Sequence, residues 1–210
     1  NTGDRMSAPL TIADVEAAGA REFQAAPAPR ELRFDPVEMR RAIGLAMGRS
    51  KREIPHYYLG STIDLARAIA WLDSYNAAKP PRERLLPAVL LLKATALALR
   101  KAPRLNGFWE KDGFREGPGI HIGWAIALRG GGLIAPALHA VDTIALPELM
   151  RRLADLIGRA RDGGLRGSEL TDPTVTVSSL GDRGADTLLP VIYPPQVAIV
   201  GFGRVASRPL

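Results

Sequence analysis

Thr174-Val-Thr-Val-Ser-Ser-Leu-Gly181 and, after a turn-rich gap, Val197-Ala-Ile-Val-Gly201 decide the fold. The first stretch alternates hydroxyl-bearing and β-branched apolar side chains at a period of two, the pattern of a strand with two different faces. The second is apolar throughout and reads as a buried strand. Between them, Asp182-Arg-Gly184 and Pro194-Pro195 supply turn chemistry. Upstream, His121–Leu128 and Leu133–Leu138 are short apolar runs on either side of Arg129-Gly-Gly-Gly132, which predicts a β-hairpin.

Helical spacing surrounds these strands. Asp35-Pro-Val-Glu38 places an acidic N-cap, Pro at N1 and Glu at N3 before a face of Met39, Ala42, Ile43, Ala46 and Met47. Pro55 ends that helix, and Tyr57–Ile63 is aromatic and β-branched enough to predict a strand. Leu65, Ala68, Ile69, Leu72 and Tyr75 predict a second helix, stopped by Lys79-Pro-Pro81. A third opens at Pro87, runs to Arg100, and is apolar almost all round, so burial on most sides is expected. Pro147 starts a fourth, with Leu149, Met150, Leu153, Leu156, Ile157 and Ala160 on one side and Arg151, Arg152, Asp155 and Arg159 on the other. Helices and strands mix without a regular βαβ repeat, so the fold class is α/β, a sandwich and not a doubly wound sheet. Ahead of all this, Pro9–Ala18 reads as a short helix capped by Thr11 or Asp14, and Gln24–Arg30 as a semi-rigid Ala/Pro linker.

Composition narrows the functions. The 210 residues carry 46% hydrophobic and 24% charged side chains, ordinary for a globular chain. No cysteine is present, which excludes disulfides and thiolate metal sites and fits a reducing compartment, so a cytoplasmic location is expected. His56, His121 and His139 are too scattered to predict a metal site. The net charge of +6 attracts anions, but the basic residues form no run and have no interleaved aromatics, so no nucleic acid is expected. The longest apolar run, Leu85–Leu99, contains Lys93 and falls short of the roughly 20 residues of a membrane span, and no secretory signal is visible at Asn1–Arg5. Gly201-Phe-Gly-Arg-Val-Ala206 fits a dinucleotide fingerprint in letters only, because Ser207-Arg-Pro209 opposes the helix such a site needs. The glycines at 130–132 read as turn chemistry, and His56, His121 and His139 as structural histidines.

Several stretches together resemble a known family. Arg40–His56, Leu86–Trp109, His121–Asp142 and, most specifically, Thr174–Gly181 followed by Leu189–Arg204 are similar to the acyltransferase core of 2-oxo acid dehydrogenase complexes. Leu10–Ala18 is similar to the last helix of the peripheral-subunit-binding domain that precedes this core in the family. The resemblance implies a remnant of that domain over 1–20, a linker over 21–33 and an acyltransferase catalytic domain over 34–210.

The implied fold is a chloramphenicol acetyltransferase-like two-layer sandwich, a mixed sheet with helices on one side. The implied reaction moves an acyl group from a dihydrolipoyl arm on a carrier domain to coenzyme A. That chemistry needs a base for the attacking thiol and a donor for the tetrahedral oxyanion. In the family the donor is a hydroxyl in the Thr-x-Thr-x-Ser/Thr strand, and the register lands on Ser178; strand alternation puts Ser179 on the opposite face. The family's base is a histidine in an Asp-His-Arg-x-x-Asp-Gly motif that does not occur in this sequence, so the domain is expected to be C-terminally incomplete and inactive as it stands. A non-catalytic scaffold subunit is the alternative. Implied partners are further copies in a homotrimer, with a 24-mer or larger core beyond it, the lipoyl domain, the 2-oxo acid decarboxylase/dehydrogenase and dihydrolipoamide dehydrogenase.

Overall fold

Asp35 caps α1 (Pro36–Glu53): its carboxylate accepts the Val37 N–H at 2.7 Å, with Pro36 in the first turn. The structure is a computed structural model and describes residues 35–128, 131–181 and 184–207. The helix expected over Pro9–Ala18 and the linker that follows it lie outside the described residues. α2 (Ala66–Ala77) follows the predicted spacing, and the Asn76 amide then brackets Leu85, donating to its C=O at 2.9 Å and accepting its N–H at 2.8 Å. This bond pair turns the chain into α3 (Pro87–Lys101).

Next come β1 (Gly107–Glu110) and β2 (Gly113–Glu116), an antiparallel pair. The predicted hairpin forms as β3 (Ile122–Trp124), β4 (Ile126–Ala127), β5 (Leu133–Ile134) and β6 (Ala137–Leu138), with β3 against β6 and β4 against β5. Both pairs share one register, Ile122 opposite Leu138 and Ile126 opposite Ile134, so they are two ends of a single bent hairpin. The bend falls at Ala125, whose N–H leaves the hairpin and donates to the Val177 C=O at 2.9 Å. A Cβ at Gly123 would stand 2.8 Å from the Ala135 C=O, which is why this closely approached position carries none.

α4 (Leu146–Asp162) buries Leu149, Leu153, Leu156 and Ala160 and ends on Gly163, left-handed at φ 80°. The short α5 (Gly167–Thr171) leads to β7 (Val175–Ser179), and β8 (Ile199–Phe202) closes the sheet in the order β6-β3-β7-β8. β3, β7 and β8 run parallel and β6 antiparallel, a mixed sheet. Leu72 of α2, Val89, Leu92, Ala96 and Leu99 of α3, and the apolar stripe of α4 pack in one core with Ile122, Trp124, Val175 and Val177. α2, α3 and α4 therefore cover one face of the sheet. Lys93 fits this core because its ammonium donates to the Val141, Asp142 and Ile144 carbonyls, holding the connection from β6 to α4.

Three expectations need correction. Tyr57–Ile63 belongs to no strand, because its backbone finds no ladder partner among the described residues. α3 is buried along one stripe only, and Leu97 on its other side is 42% exposed. β8 is half-buried at the sheet edge and is not the fully buried strand its composition predicts.

Candidate active site

Ser178 lies near the C-terminal end of β7, with Gly201 of β8 beside it. Alternation along β7 sends Val175 and Val177 into the helix-covered core and Thr174, Thr176 and Ser178 to the other face. Ser179 takes the helix side, next to Phe202, so the two adjacent serines do face opposite ways.

The Ser178 face is polar and ordered. Thr174 Oγ1 donates to Asn106 Oδ1 at 2.6 Å, and Thr176 Oγ1 donates to Gln196 Oε1 at 2.7 Å. Gln196 in turn donates to the Pro173 C=O at 3.1 Å, which leaves this buried amide bonded at both ends. Ser178 continues the row, but its partly buried hydroxyl has no hydrogen bond among the described residues. It is the one hydroxyl of the three left available to a ligand.

Residues 184–195 form a strap over this face. A Cβ placed on Gly201 would come within 3.1 Å of Pro190 Cδ and 3.2 Å of Leu188 Cγ, so the strap passes directly over the position beside Ser178. At its start the Arg204 N–H donates to the Ala185 C=O, and the Arg204 guanidinium pairs with Asp186. At its end stand the cis Pro194–Pro195 bond and Gln196.

The three histidines are all engaged elsewhere. His56 Nδ1–H donates to the Ile54 C=O at 2.9 Å while Nε2 accepts the Ile192 N–H at 3.0 Å, so neither ring nitrogen is free to take a proton from a thiol. His121 and His139 meet edge to face with centroids 5.0 Å apart. His121 Nδ1 accepts the Ala140 N–H, and His139 Nε2 pairs with Asp172 Oδ2 at 3.0 Å. Burial, then the neighbouring His139, pushes the His121 pKa down. His139 and then Thr171 hydrogen-bond the Asp172 carboxyl and hold it below its usual range. This cluster flanks the start of β7, about 13 Å along the strand from Ser178 at the usual rise per residue.

Among the described residues no group of His, Asp or Glu is placed to hold a metal ion, and no helix is long and apolar enough to cross a membrane. A groove of about 960 Å³ between α2 and α4, lined by Tyr75, Arg82, Leu86 and Met150, does not include Ser178. The face on which Ser178 lies was legible in the sequence. Asn106, Gln196, Ser50 and the strap were not, since their bonds join residues far apart in the chain.

The comparisons agree with this architecture. Residues 30–210 match the 2-oxoacid dehydrogenases acyltransferase (catalytic domain) family. The chain is 32% identical to the dihydrolipoyllysine-residue acetyltransferase component of the mitochondrial pyruvate dehydrogenase complex of Schizosaccharomyces pombe, over 80% of this chain and 35% of that protein. It spans less than half the length of the curated relatives it matches. It superposes on the dihydrolipoamide acetyltransferase of Azotobacter vinelandii, in which a serine, a histidine and an asparagine have been studied for their catalytic role, with a TM-score of 0.78 and 26% identity over 85% of this chain and 74% of that one. The cubic core of a pyruvate dehydrogenase multienzyme complex matches equally, with a TM-score of 0.78 and 27% identity over 85% and 74%. The family match over residues 30–210 and the structural likeness over most of the chain agree, and the chain belongs to the 2-oxoacid dehydrogenase acyltransferase catalytic-domain family.

Proposed function

We propose that this chain carries the oxyanion-binding half of a dihydrolipoamide acyltransferase site, in the core of a 2-oxo acid dehydrogenase complex. An acyl group, acetyl by analogy with the pyruvate-complex relatives, passes from the dihydrolipoyl arm of a carrier domain to the thiol of coenzyme A. The thiolate of coenzyme A attacks the thioester carbon, the carbonyl oxygen becomes an oxyanion, and the carbon–sulfur bond to the dihydrolipoyl arm breaks as the intermediate collapses, releasing the dihydrolipoyl sulfur as a thiolate. Ser178 donates its hydroxyl hydrogen to that oxyanion. No covalent acyl-enzyme is required, in keeping with a chain that has no cysteine.

The observation that carries this reading is the Ser178 hydroxyl, without a hydrogen bond among the described residues and fixed by its strand on the face away from α2, α3 and α4, while its row-mates Thr174 and Thr176 are bonded. A donor held rigidly in place costs no reorganisation when charge develops. The working unit is proposed as a homotrimer, with a larger core beyond it; the likeness to the cubic core of a pyruvate dehydrogenase complex supports a multi-copy assembly. In the natural full-length protein, Ser178→Ala lowers kcat about 10²–10³-fold with the fold unchanged. An unchanged kcat removes Ser178 from the mechanism.

One observation favours a second reading. His56 spends both ring nitrogens on backbone bonds, and the His121–His139 pair flanks the start of β7, about 13 Å along the strand from Ser178, too far to serve a thiol there. A scaffold subunit that organises partner enzymes without catalysis would look the same on this face. Absence of acyl transfer by the full-length protein, with dihydrolipoamide and acyl-coenzyme A supplied in either direction, decides for the scaffold.

A further inference from the structure

The strap over Gly201, beside Ser178, is clamped at its middle by two side chains from early in the domain. Ser50, at the end of α1 and wholly buried, donates its hydroxyl to the Ile192 C=O at 2.6 Å. His56, just past that helix, accepts the Ile192 N–H on Nε2 at 3.0 Å. Both backbone groups of one strap residue are thus taken by side chains more than 130 positions earlier in the chain. The Nδ1–H bond from His56 to the Ile54 C=O fixes the ring tautomer that leaves Nε2 as an acceptor. Two residues before Ile192 stands Pro190, which with Leu188 packs over Gly201, the cross-strand neighbour of Ser178.

We infer that His56 is a positioning residue for the Ser178 site, acting with Ser50 to set the distance between the strap and β7 and hence the width of the slot that receives the acyl-thioester. The assignment rests on the acyl-transfer reading above. It separates His56 from the catalytic groups: the ring touches no reacting atom and works through the Ile192 backbone. A strap that is not part of a strand ladder has few other ways to hold its height. Arg204 ties its start, and Gln196 with the Trp109 N–H bond to the Pro195 C=O ties its end, so the middle at Ile192 depends on Ser50 and His56. Loss of the Nε2 acceptor would leave the Ile192 N–H without a partner and let the middle of the strap lift, weakening binding more than the chemical step.

The test uses the full-length protein with His56→Leu, which removes the acceptor, and His56→Gln, whose side-chain carbonyl can accept the same N–H. In His56→Leu, KM for dihydrolipoamide rises about tenfold while kcat moves less than threefold, the value of about one hydrogen bond in binding. In His56→Gln, KM returns to within about threefold of the parent. Amide hydrogen exchange supplies a second readout: Ile192 exchanges at least about tenfold faster in His56→Leu and is protected again in His56→Gln, while Val177 in the sheet stays protected in both. Unchanged Ile192 exchange in His56→Leu overturns the clamp. Faster exchange with no change in KM overturns its bearing on the site. A parent protein with no acyl transfer overturns the functional reading, and the inference with it, an outcome distinct from an active parent matched by His56→Leu.

Discussion

His121 holds its Nδ1 lone pair for the Ala140 N–H at 3.1 Å, and Ala140 itself sits in the left-handed region at φ 51°. A proton on Nδ1 would set two donors against each other and release that turn. Burial, and after it His139, keeps the His121 pKa below its ordinary value of 6.5, outweighing the Ile120 backbone and the carboxylates of Asp172 and Asp142. The folded chain thus takes up this proton less readily than the unfolded chain. Stability is complete above about pH 6.5 and falls as the pH drops towards the lowered folded value. Asp172 adds a second, more acidic loss. His139 and Thr171 hold its carboxyl below 3.8, so that contribution persists to lower pH and disappears only as the carboxylate is protonated. His121→Asn keeps an acceptor for Ala140 but does not titrate. Thermal midpoints measured from pH 7 to pH 5 are expected to fall for the parent and to fall visibly less for His121→Asn; parallel curves would refute this role for the ring.

α5 is only five residues long and is held by one ion pair to α4. Arg159 meets Glu169 through two bonds of 2.6 and 2.7 Å, and the Arg166 N–H also donates to Glu169. Burial pushes the Glu169 carboxyl up, but these donors outweigh it and hold the group below its usual range. Glu169→Ala is expected to cost about 2 kcal/mol in a urea unfolding series. That is less than the roughly 3–5 kcal/mol for breaking a fully buried pair, because Arg159 is 27% exposed and retains Asp155. A loss under about 0.5 kcal/mol would show that α5 docks by apolar contact alone. This pair was invisible in the sequence, since ten residues and a turn separate its partners. The helices were legible because their signals are local: Asp35-Pro36 starts α1, and the apolar stripe from Leu149 to Ala160 fixes the buried side of α4. The hairpin was legible from the glycines between two apolar runs. Tyr57–Ile63 misled for a related reason: aromatic and β-branched residues permit a strand, but only a neighbouring backbone makes one. Ser178 could be placed on its face by counting in twos, whereas Gln196 and His56 reach the site through bonds that no local pattern encodes.

A run of strand-forming residues with no ladder partner among the described residues sets a problem for the whole molecule. Tyr57 is 82% exposed, Leu59 91% and Ile63 64%, and the backbone between them is open to pairing. Such an exposed apolar stretch on a free monomer invites association, and an assembly of several copies is one way to cover it. α3 presents a second apolar exposure at Leu97, on the side away from the core. If the homotrimer proposed above forms, sedimentation should give three times the 22.6 kDa chain mass, with dissociation on dilution. Amide exchange then locates the contact. At concentrations where the chain is monomeric, Tyr57–Ile63 should exchange freely while Val175–Val177 in the sheet remain protected. At concentrations where the trimer prevails, the Tyr57–Ile63 amides should slow by at least about tenfold, because a backbone paired across an interface can exchange only when that interface opens. Slowing confined to α3 would move the contact to its Leu97 side. A trimer with no slowing in either place would mean that these apolar residues stay open to solvent and that association rests on another surface.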